Sequence, residues 1–175
     1  MNVLILSDTH GNTDMITHML GIAKGMDLVI HLGDDYRDTL PMMDANIATI
    51  RVPGTWGAEY QDPMIENRRF EDLLGWRFFL THTPTVDFHD MPDDMNPIMV
   101  IQNQLCDVFC HGHTHAPKLM MDGGVLICNP GHLTASFDRG HAASYVMVKV
   151  SHTDCEFTIH DFQTAKVIQQ MRRRK

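Results

Sequence analysis

No apolar run in this sequence approaches the roughly 20 residues needed to span a bilayer. The opening stretch, Met1-Asn2-Val3-Leu4-Ile5-Leu6-Ser7-Asp8, lacks the basic segment of a secretory signal and turns polar too early for one. It reads as a first strand, and the chain as a soluble, cytoplasmic protein with no membrane partner. Cysteine is sparse, with four in 175 residues (Cys106, Cys110, Cys128 and Cys155), and without an export signal reduced thiols are expected rather than a disulfide framework. Cys110 closes the apolar run 107–110, where a small buried side chain is a plainer reading than a metal ligand. Positive charge is also short. A formal net charge of −8 argues against a broad nucleic-acid-binding face. The one basic cluster, Arg172-Arg173-Arg174-Lys175, reads as a solvated C-terminal end. There is no internal repeat, low-complexity tract or linker-like break, so residues 1–175 are expected to form one domain. Histidine, by contrast, is abundant at 12 residues.

The first half alternates buried runs with amphipathic stretches. Residues 3–6 form a short apolar, partly β-branched strand. Asn12 or Thr13 then caps a helix whose stripe is Ile16, Met19, Leu20 and Ala23, with Gly25 placed to end it. A strand over 28–32, a short helix over about 38–43 and a strand over 47–52 follow. This β-α-β-α-β order predicts parallel neighbours joined by right-handed crossovers. Runs 69–73 and 76–80 around Gly75 predict a hairpin, and 95–105 a helix. Strands are expected over 108–110, 118–121, 125–128, 143–150 and 155–160, the second and third flanking Asp122-Gly123-Gly124. The sum is an α/β sandwich of two stacked mixed sheets with helices outside.

Five polar clusters each follow directly on an apolar run: Asp8-Thr9-His10, Gly33-Asp34, Pro53-Gly54-Thr55, Thr81-His82 and Gly112-His113-Thr114-His115. The carboxyl ends of parallel strands gather at one sheet edge, where ligands bind. On extended backbone, residues i and i+2 point the same way, so Asp8 with His10, and His113 with His115, are expected to face one ion. Glycines at 33, 54 and 112 allow sharp turns and close backbone approach. Carboxylates and imidazoles with room for solvent suit a catalytic divalent metal better than a closed structural site. A bridging carboxylate can hold two ions about 3.5–4 Å apart, the spacing used for in-line attack on phosphorus. Singly these motifs are weak: Asp8-x-His10 also describes a helix-initiating turn, and His82 a core histidine. Their joint, ordered occurrence predicts a metal site.

Ser7-Asp8-Thr9-His10, His31-Leu32-Gly33-Asp34, Thr81-His82 and Gly112-His113-Thr114-His115, followed by Asn129-Pro130-Gly131, resemble the signature of the small bacterial and archaeal calcineurin-like phosphodiesterases. The resemblance implies a four-layer αββα sandwich and a centre of two divalent ions, Mn2+ first and Zn2+, Fe2+ or Ni2+ as alternatives. By that likeness one ion takes Asp8, His10 and His115, the other takes His82 and His113, and Asp34 bridges them. The implied activity is metal-dependent hydrolysis of a small phosphoester, diester before monoester, with Asp34, His82 and His113 nearest the chemistry. The alternative is a weakly active or inactive protein-binding scaffold, as the retromer subunit of this fold is. A structural zinc protein fits poorly, because no cysteine joins the cluster. Homo-oligomerisation is left open.

Two motifs depart from the family pattern. Where relatives read Gly-Asn-x-Asp, this chain has Gly54-Thr55-Trp56-Gly57. Thr55 would be a weak second-ion ligand, with Glu59 and Asp62 as candidates to reach in from the same loop. Trp56 stands where some relatives place a histidine, and an indole is neither acid nor base. It reads equally as loop packing or as a flat wall for an aromatic or sugar group. Thr81-His82-Thr83-Pro84 lacks the second histidine of the usual Thr-His-Gly-His. Among the other histidines, only His132, just after the Asn-Pro-Gly turn, is placed to border a pocket.

Overall fold

The computed structural model describes residues 1–175. β1 (Asn2–Leu6) buries Val3 to Leu6 completely, as suits a strand covered on both faces. α1 (Thr13–Ala23) begins where the Asn12 side chain accepts the Met15 N–H at 3.2 Å, satisfying one of the orphan donors of the first turn. It buries Met15, Ile16, Met19 and Ala23. β2 (Leu28–His31) leads to a 3-10 turn (Tyr36–Thr39) that runs into α2 (Leu40–Asp44). The helix expected over 38–43 is therefore split, and Pro41, with no N–H to donate, sits in the first turn of its second piece. β3 (Thr49–Arg51) follows, then a 3-10 turn over Ala58–Gln61.

β4 (Arg68–Leu73) and β5 (Trp76–Thr81) form the expected hairpin. Its two turn residues, Leu74 (φ 56°) and Gly75 (φ 81°), are both left-handed, as a type I′ turn requires. α3 (Pro97–Gln102) is shorter than the expected 95–105, because the Asn96 side chain caps it at the Ile98 N–H and Gln104 turns left-handed soon after its end. β6 (Val108–Cys110) precedes the hairpin of β7 (Lys118–Asp122) and β8 (Val125–Asn129), turned at Gly123-Gly124. A small hairpin of β9 (Phe137–Asp138) and β10 (His141–Ala142) comes next, unannounced by any apolar run. β11 (Ser144–Val150), β12 (Asp154–Asp161) and β13 (Val167–Arg174) complete the chain.

One sheet runs β13-β12-β11-β1-β2-β3 and the other β4-β5-β6-β8-β7. β1, β2 and β3 are parallel, as are β5, β6 and β8, and the remaining pairs are antiparallel. Between the sheets lies one core, with Val3, Ile5, Ile30 and Phe157 from the first and Phe78, Leu80, Cys110 and Leu126 from the second. Outside the first sheet, Met15, Met19 and Met42 of α1 and α2 cover Leu4, Leu6 and Val29. Outside the second, Val100 of α3 covers Phe79, Phe109, Val125 and Ile127. The order is α-β-β-α, as the family likeness implied. All four cysteines are free and buried, and Cys110 and Cys128 are register partners in β6 and β8. No helix is long and apolar enough to cross a membrane.

The basic tail is solvated, with Arg172, Arg174 and Lys175 exposed, but it is not a free end. It is β13, paired along its length with β12. Arg172 meets Asp154 at 3.1 Å, Arg173 meets the Asp107 carboxylate at 3.1 Å, and Lys175 Nζ donates to Gly75 O at 2.6 Å. Gln169 ties the two sheets together at their open side: the Leu119 N–H of β7 donates to its Oε1 at 2.9 Å, and its Nε2 donates to Leu119 O at 2.7 Å. Leu119 is buried, so losing the amide strands a donor and an acceptor. Gln169→Ala should cost about 1–3 kcal/mol in urea denaturation. Gln170→Ala, whose amide meets only Glu156 at the surface, should stay within about 0.5 kcal/mol.

Candidate metal centre

Three parallel strands of each sheet end at the same edge, and the loops leaving them meet there. Asp8 and His10 follow β1, Asp34 follows β2, His82 follows β5, and His113 and His115 follow β6. His10 Nε2 lies 3.3 Å from His115 Nε2 and 3.7 Å from Asp34 Oδ2. His115 Nε2 lies 3.2 Å from Asp8 Oδ1. His82 Nε2 lies 3.3 Å from both Asp34 Oδ2 and His113 Nδ1. The six side chains thus form one continuous cluster. Within it, Asp8, His10 and His115 bring their ligating atoms inside 4.8 Å of one another, and so do Asp8, Asp34 and His82.

Asp8 and His10 do face together, though not on extended backbone, whereas His113 and His115 part: His113 Nδ1 faces His82, and His115 Nε2 faces Asp8 and His10. Asp8 (φ 54°), His10 (φ 47°), Asp34 (φ 44°), His113 (φ 65°) and His115 (φ 61°) are all left-handed. β1 and β6 have already ended, and tight turns aim these side chains inward. Each such residue costs on the order of 1–3 kcal/mol unless its surroundings enforce it. Here they do. Asp8 N–H donates to Gly33 O at 2.9 Å, Thr9 Oγ1 donates to Asp34 O at 3.0 Å, and the His113 N–H donates to both Asp8 oxygens at 3.1 and 3.0 Å. Asn129, the last residue of β8 and the first of the Asn-Pro-Gly turn, donates to Gly112 O at 3.1 Å and Thr114 Oγ1 at 2.8 Å. A Cβ on Gly54 would collide with the Asp34 carboxylate, and one on Gly112 with Ser7 Oγ and the Asp8 carboxylate. Close approach demands glycine at both.

Hydrogen bonds behind the rings fix their tautomers. His82 Nδ1 donates to Leu32 O at 2.8 Å, which turns the lone pair of Nε2 into the cluster. His115 Nδ1 lies 2.5 Å from Asp138 Oδ2, which leaves its Nε2 toward Asp8 and His10. Asp138 was not foreseen, since it sits on the two-residue β9 in a polar stretch. Beside it, Arg139 donates to His113 O at 2.9 Å. His132 stacks on His115 with ring centroids 5.2 Å apart, so it does border the centre. Thr55 is buried on the loop after β3, but no hydrogen bond joins its hydroxyl to the six. Glu59 and Asp62 do not reach in: Glu59 pairs with Arg37 at 3.0 Å, and Asp62 accepts the Met64 N–H at 2.9 Å.

The charge balance favours cations. Burial pushes the Asp8 carboxyl up, but the His115 hydrogen bond and the His82 charge outweigh it and hold it below the usual range. Asp34 is lowered in the same way, burial being outweighed by His82, His10 and His113. Burial opposes charge on His82 and His115, yet the facing carboxylates raise both. His113 is lowered, by burial and then by His82. Two anionic carboxylates therefore draw positive charge to imidazoles whose lone pairs point inward. The spacing also fits a divalent ion. Two imidazole nitrogens bound to one tetrahedral ion at about 2.0–2.1 Å stand roughly 3.3 Å apart, and both facing histidine pairs have that separation. A cleft of about 260 Å³ opens beside the cluster, lined by His10, Asp34, Asp35, Tyr36, Gly54, Trp56 and Gly57. A larger hollow of about 590 Å³ along β4 shares no residue with the cluster.

Fold and cluster together define the class: a metallophosphoesterase-like α/β sandwich. The chain belongs to the calcineurin-like phosphoesterase superfamily, whose domain matches residues 1–153. It is 34% identical over 134 residues to a probable metallophosphoesterase of Mycoplasma pneumoniae, covering 75% of this chain and 78% of that protein. Vps29 of Chaetomium thermophilum shares the fold with a TM-score of 0.76 over 99% of this chain and 95% of that one, at 16% identity. An archaeal phosphodiesterase shares it with a TM-score of 0.69 over 99% and 100%, at 20% identity.

Two histidines just behind the cluster add to an acid sensitivity that the lowered His113 and His132 share. Burial drives His31 and His111 down to about 4 from the ordinary 6.5. Between those values the unfolded chain binds the protons and the native chain does not. The stability these residues carry is complete above pH 6.5 and is lost as pH falls toward 4, at about 1 kcal/mol per pH unit for each. His82 and His115, being raised, are protonated in both states below 6.5 and add no slope there. Urea denaturation in chelator at pH 7, 5.5 and 4.5 should show this decline, and His31→Gln should flatten it.

Proposed function

We propose that this chain is a metal-dependent phosphodiesterase working through two divalent ions. The observation that carries the reading is the convergence of six carboxylate and imidazole side chains, from four loops and both sheets, on one edge. Asp8, His10 and His115 would hold one ion and His82 and His113 the other. Asp34, whose Oδ2 faces both His10 and His82, would be shared. Manganese stands first by family likeness, and zinc, iron or nickel suit the same nitrogen and oxygen set. When bound, such ions lower the pKa of a water to near neutrality and offset charge on phosphoryl oxygens.

The protein's own part is orientation. The Leu32 carbonyl and Asp138 carboxylate fix the rings of His82 and His115, and the cation would displace the protons those rings otherwise attract. The preference for a diester rests on charge. The cleft is lined by Asp34 and Asp35 and by no lysine or arginine, so a monoanionic diester is tolerated there better than a dianionic monoester. A weakly active or inactive scaffold is the second reading. It is favoured by Thr55, which supplies a neutral hydroxyl where relatives offer an amide or carboxylate.

Manganese-loaded protein should hydrolyse bis(p-nitrophenyl) phosphate faster than p-nitrophenyl phosphate. Asp34→Asn should lower that turnover by about 100-fold or more and reduce metal content at both sites, whereas His10→Ala should chiefly lose one ion. Full activity in Asp34→Asn, or no metal uptake by the wild type, would contradict the reading. Metal uptake without turnover on either ester would favour the scaffold.

A further inference from the structure

Trp56 and Phe88 are 78% and 83% exposed, an expensive way to present two large rings to water. They are not scattered. The Trp56 and Phe88 centroids lie 6.3 Å apart, with the His89 ring 4.7 Å from Trp56 and 3.6 Å from Phe88. Trp56 also lines the cleft that His10 and Asp34 line, so this aromatic shelf forms the rim of the candidate centre.

The shelf is built on a buried polar frame. Arg68, itself 1% exposed at the side chain, meets both Asp90 oxygens at 2.7 Å. Tyr60 donates its hydroxyl proton to Asp90 Oδ1 at 2.6 Å, and Gln61 Nε2 donates to His89 O at 2.7 Å. Asp87 accepts from the His89 N–H at 3.0 Å and lies 2.8 Å from its Nδ1. These bonds tie the loop carrying Trp56 to the loop carrying Phe88 and His89. A buried ion pair is costly to desolvate and is weak as a source of stability. What this one achieves is to hold two exposed rings in fixed relation beside the cluster. Preorganised aromatic surface at the mouth of a polar site favours a planar group, since its ordering cost is already met.

We propose that Trp56, with Phe88 and His89 behind it, is a stacking platform for a planar aromatic substituent of the phosphoester, either a nucleobase or an aryl group. This rests on the metal-centre reading and narrows its substrate class. An uncharged aromatic substituent also suits the acidic cleft wall of Asp34 and Asp35, which would repel a further anionic one.

Binding of four phosphates to manganese-loaded protein tests it: adenosine 5′-monophosphate against ribose 5-phosphate, and phenyl phosphate against methyl phosphate. Calorimetry gives the affinities. Quenching of tryptophan fluorescence reports on Trp56, because the only other tryptophan, Trp76, is fully buried. The aromatic member of a pair should bind roughly tenfold more tightly and quench, and Trp56→Leu should erase the difference. A gain in the nucleotide pair alone assigns a nucleoside ester, and a gain in both pairs shows that any aryl group suffices. Equal binding within both pairs, or a difference that survives Trp56→Leu, overturns the platform and leaves the exposed rings as a protein-docking surface. Failure of all four phosphates to bind, with no manganese uptake, overturns the metal-centre reading instead.

Discussion

Two carboxylates, Asp8 and Asp34, lie where the two sheets meet, the first wholly buried, and much of the surrounding edge is arranged to neutralise them. Burying ionised carboxylates is costly unless they are paired or bound to metal. Four imidazoles and the His113 N–H crowd around these two, and a shared proton or cation is the arrangement's natural completion. The parallel ordering of β1, β2 and β3 in one sheet and β5, β6 and β8 in the other makes this meeting geometrically available. Six strands point their carboxyl ends at one edge; four of their loops carry the cluster residues, and Asn129 at the end of β8 braces the loop after β6.

The same demand explains where the backbone is strained. Five of the six cluster residues are left-handed, half of the ten non-glycine residues in the chain with that backbone, a concentration in keeping with a functional site. The neighbouring loops hold them there: the Asn129 side chain beneath the Gly112–Thr114 segment, and glycines at 54 and 112 where no Cβ fits. The hairpin that carries Asp138 adds a last brace from outside the two sheets. Stability for this is drawn from the undemanding remainder, the shared core between the sheets and the C-terminal strand that ties β7 to β13 through Gln169.

Much of this was legible in the sequence because two periodicities and one spatial rule suffice for it. Apolar runs gave the strands, and a helical stripe gave α1. The rule that parallel strands open at their carboxyl ends put Asp8, His10, Asp34, His82, His113 and His115 at one edge. What was not legible has physical causes. The chain over 167–174 is polar and basic because an edge strand is kept from pairing with other molecules by such charge, and the same composition describes a solvated tail. Asp138 lies on a strand of two residues, too short to show alternation. Left-handed turns at aspartate and histidine leave no compositional mark, so the i, i+2 argument, which assumed extended backbone, brought Asp8 and His10 together but wrongly paired His113 with His115. Trp56 was ambiguous by itself. Its meaning depends on Phe88 and His89, brought beside it by a buried arginine and aspartate distant in sequence.

The fold is shared by an archaeal phosphodiesterase and by Vps29 proteins, so the cluster and not the architecture must decide what this chain does. The most direct measurement is anomalous scattering from crystals grown with manganese. Two peaks are predicted, one among Asp8, His10 and His115 and one beside His82 and His113, with the Asp34 carboxylate touching both. An empty cluster, or a single ion that leaves Asp34 unengaged, would contradict the account.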